Sequence, residues 1–171
     1  MILGMSTSTF TAVHVVLSLI GIFSGLIVLF GMFSANRLTD WTALFLVSTV
    51  LTSVTGFLFH SAHIRPSHVV GVISLVVLAV AILARYVYRL AGPWRWIYVG
   101  GAVLALYLNI FVGVVQAFQK LPFLSRLAPT QSEPPFFVAQ VIVMAVFVLL
   151  GIRAVMKFRP ATATPDVIWG S

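Results

Sequence analysis

The chain has 171 residues, 61% of them apolar and only 8% charged, with a mean hydropathy of +1.13. A water-soluble domain carries about a quarter of its residues charged, so ten Lys and Arg with three Asp and Glu cannot wet the surface of one. The formal net charge of +7 sits at the ends of apolar runs rather than in a stripe. It therefore suits membrane orientation and anionic lipid, and no nucleic-acid partner is expected. The absence of cysteine excludes disulfides, iron–sulfur clusters and thiolate metal sites.

A backbone in hydrocarbon must satisfy itself as helices or as a closed barrel, and the long uninterrupted apolar runs point to helices. Five spans are expected, at about 9–33, 41–59, 68–90, 96–118 and 136–156. The first is preceded by no Lys or Arg and followed by no clean small-residue site, so it reads as a membrane helix rather than a cleaved signal. Short connections join the first four spans, and the longest loop, 119–135, leads to the fifth. The fold class is thus an all-α integral membrane bundle, one domain over 1–156, with a disordered tail over 157–171.

Orientation follows from Lys and Arg. One side holds Arg65, Lys120 and Arg126; the other holds Arg37, Arg85, Arg89, Arg95, Arg153, Lys157 and Arg159. The second side is expected to be cytoplasmic, leaving the N-terminus outside and the C-terminus inside. Arg85 and Arg89, near the inner end of the third span, are expected to snorkel to the headgroups. Trp41, Tyr86, Tyr88, Trp94 and Trp96 form a matching aromatic belt.

The polar residues are unevenly placed. His14, His60, His63 and His68 all fall in the outer half, with Gln116, Glu133 and Gln140, while Asn109 lies near mid-membrane. On the first helix His14, Ser18, Gly21 and Gly25 share a face, and on the second Thr49, Ser53, Gly56 and His60 do. On the fourth, Ala102, Ala105, Asn109, Gly113 and Gln116 share another. Small residues let membrane helices approach closely, within the bundle or toward another membrane protein or a second copy. Two seams end in a histidine and one in a glutamine, which places His14, His60 and Gln116 toward the bundle interior.

Several chemistries fit these histidines. They can hydrogen-bond headgroups or backbone at the interface, or handle protons. They can line a pocket for a quinone, lipid or small solute. They can also ligate: His14 with His60 or His63 could hold haem b or a divalent metal, although no carboxylate is near and the spacing matches no strong signature. For Glu133, the context Ser132-Glu133-Pro134-Pro135 reads as a helix start capped by Ser132. The alternative is a loop folded over the outer mouth, bringing Glu133 to a histidine.

The segments Phe59-His60-Ser61-Ala62-His63, Leu106-Tyr107-Leu108-Asn109 and Ala128-Pro129-Thr130-Gln131-Ser132-Glu133-Pro134-Pro135-Phe136 resemble those of a group of uncharacterised small bacterial membrane proteins. The resemblance covers the second to fifth spans and implies a bacterial inner-membrane location, with no activity to carry over. No phosphate-binding loop, hydrolase constellation or paired intramembrane carboxylate is present, so no catalytic residue is assigned. The leading expectation is an accessory or ligand-binding subunit with an outward-facing histidine-rich polar cluster. The alternative is a small b-type haem or metal redox protein.

Overall fold

A computed structural model of the chain describes residues 4–59 and 66–159. Helices make up the fold, and no β-strand occurs among the described residues. In chain order they are α1 (Thr7–Phe33), α2 (Thr39–Phe57), α3 (Pro66–Ile82), α4 (Trp94–Lys120), α5 (Pro122–Leu127) and α6 (Pro134–Lys157). Five spans among the described residues are long and apolar enough to cross a membrane, as the sequence predicts: α1, α2, α4, α6 and His68–Val87, which continues α3. His60 and His63, Arg65 and most of the expected tail lie outside the described residues.

Local chemistry sets the helix ends. Ser6 caps α1, its hydroxyl accepting the Thr9 N–H at 3.1 Å. Proline opens α6, where its missing N–H removes no intrahelical bond. The third span departs from expectation at its end. It passes into a π-helical turn, Leu83–Val87, and stops there rather than at Leu90. Arg89 and Leu90 follow with φ of 48° and 63°, left-handed values that no helix continues through. The connection between α4 and α6 is not a plain loop either. It contains α5, which buries none of its residues and leaves Phe123 72% exposed.

α4 is the central helix, packed against α1, α3 and α6, while α1 pairs with α2 and α2 with α3. Its buried face, Val99, Ala102, Ala105, Leu106 and Asn109, meets Leu29, Phe45 and their neighbours in one apolar core. The seam predicted on α1 is a packing seam. A Cβ built on Gly25 would lie 2.7 Å from Leu106 Cδ1 and 2.8 Å from the Phe45 ring, so only glycine lets α1, α2 and α4 close here. The outward faces are apolar, as at Phe23, Val76 and Leu149. Water would not tolerate so continuous an apolar surface, whereas lipid would.

Arg85 corrects the snorkelling expectation. It is 8% exposed and points into the bundle, where its Nη2 donates to the Arg37 carbonyl in the α1–α2 turn at 3.0 Å. Its guanidinium lies 5.3 Å from the centre of the Tyr98 ring. The reason is periodic: Ser74, Leu78, Ala81 and Arg85 follow one another at helical spacing on the buried face of the third span. Arg89, past the helix end, is exposed as expected.

Candidate functional site

Four helices meet around a cavity of about 90 Å³, room for about three waters at liquid density. α1 contributes His14 and Ser18, α2 Thr49, Ser53 and Gly56, α3 His68 and Ser74, and α4 Asn109. Phe57, Leu108 and Val112 supply apolar wall. Among the described residues no Asp, Glu, Lys or Arg lines it. The seams read from the sequence explain the composition, because the faces that carry Gly, Ser and Thr for close approach are the faces that meet.

Cross-helix hydrogen bonds fix the walls. His14 Nδ1 and Thr55 Oγ1 lie 2.8 Å apart, joining α1 to α2. The Ser18 hydroxyl donates to Asn109 Oδ1 at 3.0 Å, joining α1 to α4. Ser53 and Ser74 pair at 3.2 Å, joining α2 to α3. The His14 ring also meets Phe59 edge to face at 5.2 Å, and His68 stacks on Phe57 at 5.8 Å.

Two groups on this wall are not satisfied. Thr49 Oγ1 and Asn109 Nδ2 are buried without a hydrogen-bond partner. Thr49 is 2% exposed and Asn109 7%. Both crowd against Gly21, where an added Cβ would lie 2.9 Å from Asn109 Nδ2 and 3.0 Å from Thr49 Oγ1. A buried unpaired donor costs about 1–3 kcal/mol, which a bound water or ligand would offset. Toward the arginine-rich end the polar lining stops, because Phe45, Gly25 and Leu106 close the bundle below Asn109.

The sequence-predicted site residues divide. His14, His68 and Asn109 line one cavity. Gln140 is buried but faces α4, its Nε2 donating to the Phe111 carbonyl at 3.3 Å. Gln116 is exposed, which corrects the expectation that it points inward. Helical spacing fixes its face of α4 but not whether a neighbour covers that face so near the helix end. His60 and His63 lie outside the described residues. Among the described residues no three His, Cys, Asp or Glu side chains gather as a metal site would need.

Among the described residues Glu133 reaches no histidine. It occupies the N-cap position of α6 itself, in place of Ser132, without a side-chain capping bond. Its carboxylate turns back and accepts from the Thr130 N–H at 3.1 Å, the Thr130 hydroxyl at 2.8 Å and the Ser132 N–H at 3.1 Å. Desolvation raises the carboxyl's pKa, but these hydrogen bonds outweigh it and hold the group below the usual carboxylate value.

Asn109 is legible as a polar residue near mid-membrane, whereas Thr49 carries no role in the sequence beyond its seam. The signal for Thr49 was present, since it lies on the same face of α2 as Ser53 and Gly56. Compared with protein-family models, curated proteins and solved structures, the chain matches none.

Proposed function

We propose that this is a multi-pass protein of the bacterial inner membrane that acts as an accessory, ligand-binding subunit, with its cavity in the outer half of the bilayer. The observation that carries the reading is the pair of buried, unpartnered groups, Thr49 Oγ1 and Asn109 Nδ2, on the wall of a cavity otherwise lined by hydroxyls, histidines and apolar side chains. Pockets with mostly apolar walls and a few placed polar groups are those that hold small molecules. The apolar layer at Phe45, Gly25 and Leu106 separates the cavity from the buried Thr42 and Arg85 beyond it, which favours binding over conduction. The orientation, N-terminus out and C-terminus in, rests on the Lys and Arg imbalance.

The test is direct. Protein purified in mild detergent is extracted with organic solvent and the extract analysed by mass spectrometry, beside a Thr49→Val/Asn109→Leu variant. Near-stoichiometric recovery of one compound from the parent, and its loss from the variant, is expected. Equal recovery from both would overturn the cavity as the site. A visible spectrum on the same sample addresses the haem alternative: a Soret band abolished by His14→Ala would replace the present reading. A periplasm-active reporter fused after Ser171 should stay silent, and activity there would overturn the orientation.

A further inference from the structure

We infer that the cavity takes a neutral molecule about one ring in size that offers a hydrogen-bond donor at one end, to His14 Nε2, and an acceptor at the other, to Asn109 Nδ2. This rests on the ligand-binding reading above and adds the chemistry of the ligand.

The donor end follows from counting hydrogens. Thr55 has one hydroxyl hydrogen, and its Oγ1 lies 2.7 Å from the Leu51 carbonyl and 3.2 Å from that of Thr52, both pure acceptors. That hydrogen is therefore committed to the backbone of α2. His14 Nδ1, 2.8 Å from the same oxygen, must then be the donor, with Thr55 Oγ1 accepting. A neutral imidazole carries one N–H, so Nδ1–H leaves Nε2 as a bare lone pair. The threonine, a residue of ordinary helix interior, thus fixes the tautomer of a ring on the cavity wall.

The acceptor end follows in the same way. Asn109 Oδ1 receives the Ser18 hydroxyl, while its Nδ2, a donor only, has no partner and is buried. The Thr49 hydroxyl stands beside it, also unpartnered. What arrives there must accept, as a carbonyl oxygen does.

Spacing sets the ligand's length and the cavity its upper bound. Asn109 Nδ2 lies at the level of Gly21, seven residues below His14, or roughly 10 Å along α1. Two hydrogen bonds of about 2.9 Å each leave roughly 5 Å between the ligand's polar ends, the span of a single para-substituted ring. The cavity of about 90 Å³ is smaller than the ~150 Å³ cavity that holds benzene and well short of the ~300–1,000 Å³ of pockets for drug-sized molecules, so a single ring is the upper bound and enters only as the walls yield. Among the described residues no charged side chain lines the wall, so an ionic ligand would find no counter-charge there.

The experiment uses the full chain in lipid nanodiscs with 15N-labelled histidine, and four matched probes: 4-hydroxyacetophenone, 4-methylacetophenone, 4-ethylphenol and 4-ethyltoluene. The ligand-free 15N spectrum should show His14 protonated at Nδ1 and bare at Nε2; the opposite tautomer would overturn the inference. On titration, 4-hydroxyacetophenone should bind about tenfold tighter than either single-ended probe, one net hydrogen bond apart, and shift the Nε2 resonance. His14→Phe should erase the advantage of the phenol end alone, and Asn109→Leu that of the carbonyl end alone. Equal affinity for all four probes would overturn the two-ended recognition and leave the ligand-binding reading standing. Binding of none, while a compound still co-purifies with the parent protein, would do the same. Binding of none with nothing co-purifying would overturn both.

Discussion

Ser18 on α1 donates its hydroxyl to Oδ1 of Asn109 on α4, 3.0 Å away, and the same amide leaves Nδ2 buried and unpaired against Gly21. One side chain is thereby both a tie between two helices and an unsatisfied donor. The two roles have opposite signs in stability.

Asn109→Leu and Ser18→Ala should therefore differ in sign. A membrane interhelical hydrogen bond contributes on average about 0.6 kcal/mol, while the unpaired donor costs about 1–3 kcal/mol. Asn109→Leu removes both and should be neutral or stabilising by up to about 1 kcal/mol. Ser18→Ala removes only the partner, leaves the whole amide unsatisfied, and should destabilise by about 1 kcal/mol. Reversible unfolding of the two variants in mixed micelles with SDS measures both. A destabilised Asn109→Leu would mean that the amide is already satisfied in the resting protein.

At Gly25 the prediction concerns packing alone. An alanine Cβ there would lie 2.7–2.8 Å from Leu106 Cδ1 and the Phe45 ring. Leu106 and Phe45 are each 1% exposed, so neither has room to swing aside. Gly25→Ala should cost about 1–3 kcal/mol, as overpacked cores do. Gly100→Ala, where nothing lies within 4 Å of the added carbon, should be neutral or slightly stabilising through helix propensity. Thermal unfolding of the pair, followed by circular dichroism in detergent, gives the comparison.

These two positions also show how much could be read from sequence. The five spans, the α1 seam through His14, Ser18, Gly21 and Gly25, and the inward face of α4 through Ala102, Ala105 and Asn109 were legible, because hydrocarbon enforces helices and small residues mark close approach. Which seam meets which was not legible, since periodicity orients a face without naming its neighbour. Gln116 failed for that reason: it shares Asn109's face but is exposed. Arg85 failed for a different one. Charge argued for the headgroups, while its spacing from Ser74, Leu78 and Ala81 argued for burial, and burial won because the Arg37 carbonyl, which accepts from Thr42, has a second lone pair within reach. The left-handed residues after α3 and the short helix α5 carried no signal strong enough to override the hydropathy pattern.

Arg85 itself yields the third prediction. Its Nη2 and the Thr42 hydroxyl both donate to the Arg37 carbonyl, at 3.0 and 3.2 Å. They pin the α1–α2 turn, where Ala35 and Leu38 adopt positive φ. Nearby, the Tyr98 hydroxyl is buried beside both Thr42 and Arg85. Arg85→Ala should destabilise by about 1.5–3 kcal/mol, the range for a hydrogen bond to a charged group. Arg85→Lys should not restore it, because an ammonium lacks the planar fork and lies flat on no ring. Hydrogen exchange followed by mass spectrometry should locate the loosening at residues 34–38. An unchanged turn in Arg85→Ala would show that Thr42 suffices.

The last prediction concerns pH and the loop before α6. Glu133 accepts hydrogen bonds from the Thr130 N–H and hydroxyl and from the Ser132 N–H, which favour its charged form and place its folded-state pKa below the ordinary value. A depressed carboxyl pKa contributes order that is present above the unfolded value, about 4.3 for glutamate, and that is lost as pH falls through the folded one. The loop at 128–133 should therefore hold at neutral pH and loosen only below the ordinary glutamate value. Amide exchange at Thr130 and Ser132, corrected for its intrinsic pH dependence, should rise on acidification from pH 6 to pH 3 while α6 stays protected. In Glu133→Gln the amide oxygen accepts more weakly and does not titrate, so the same amides should exchange faster at pH 6 and show no further step. Persistence of the acid step in that variant would assign it to another group.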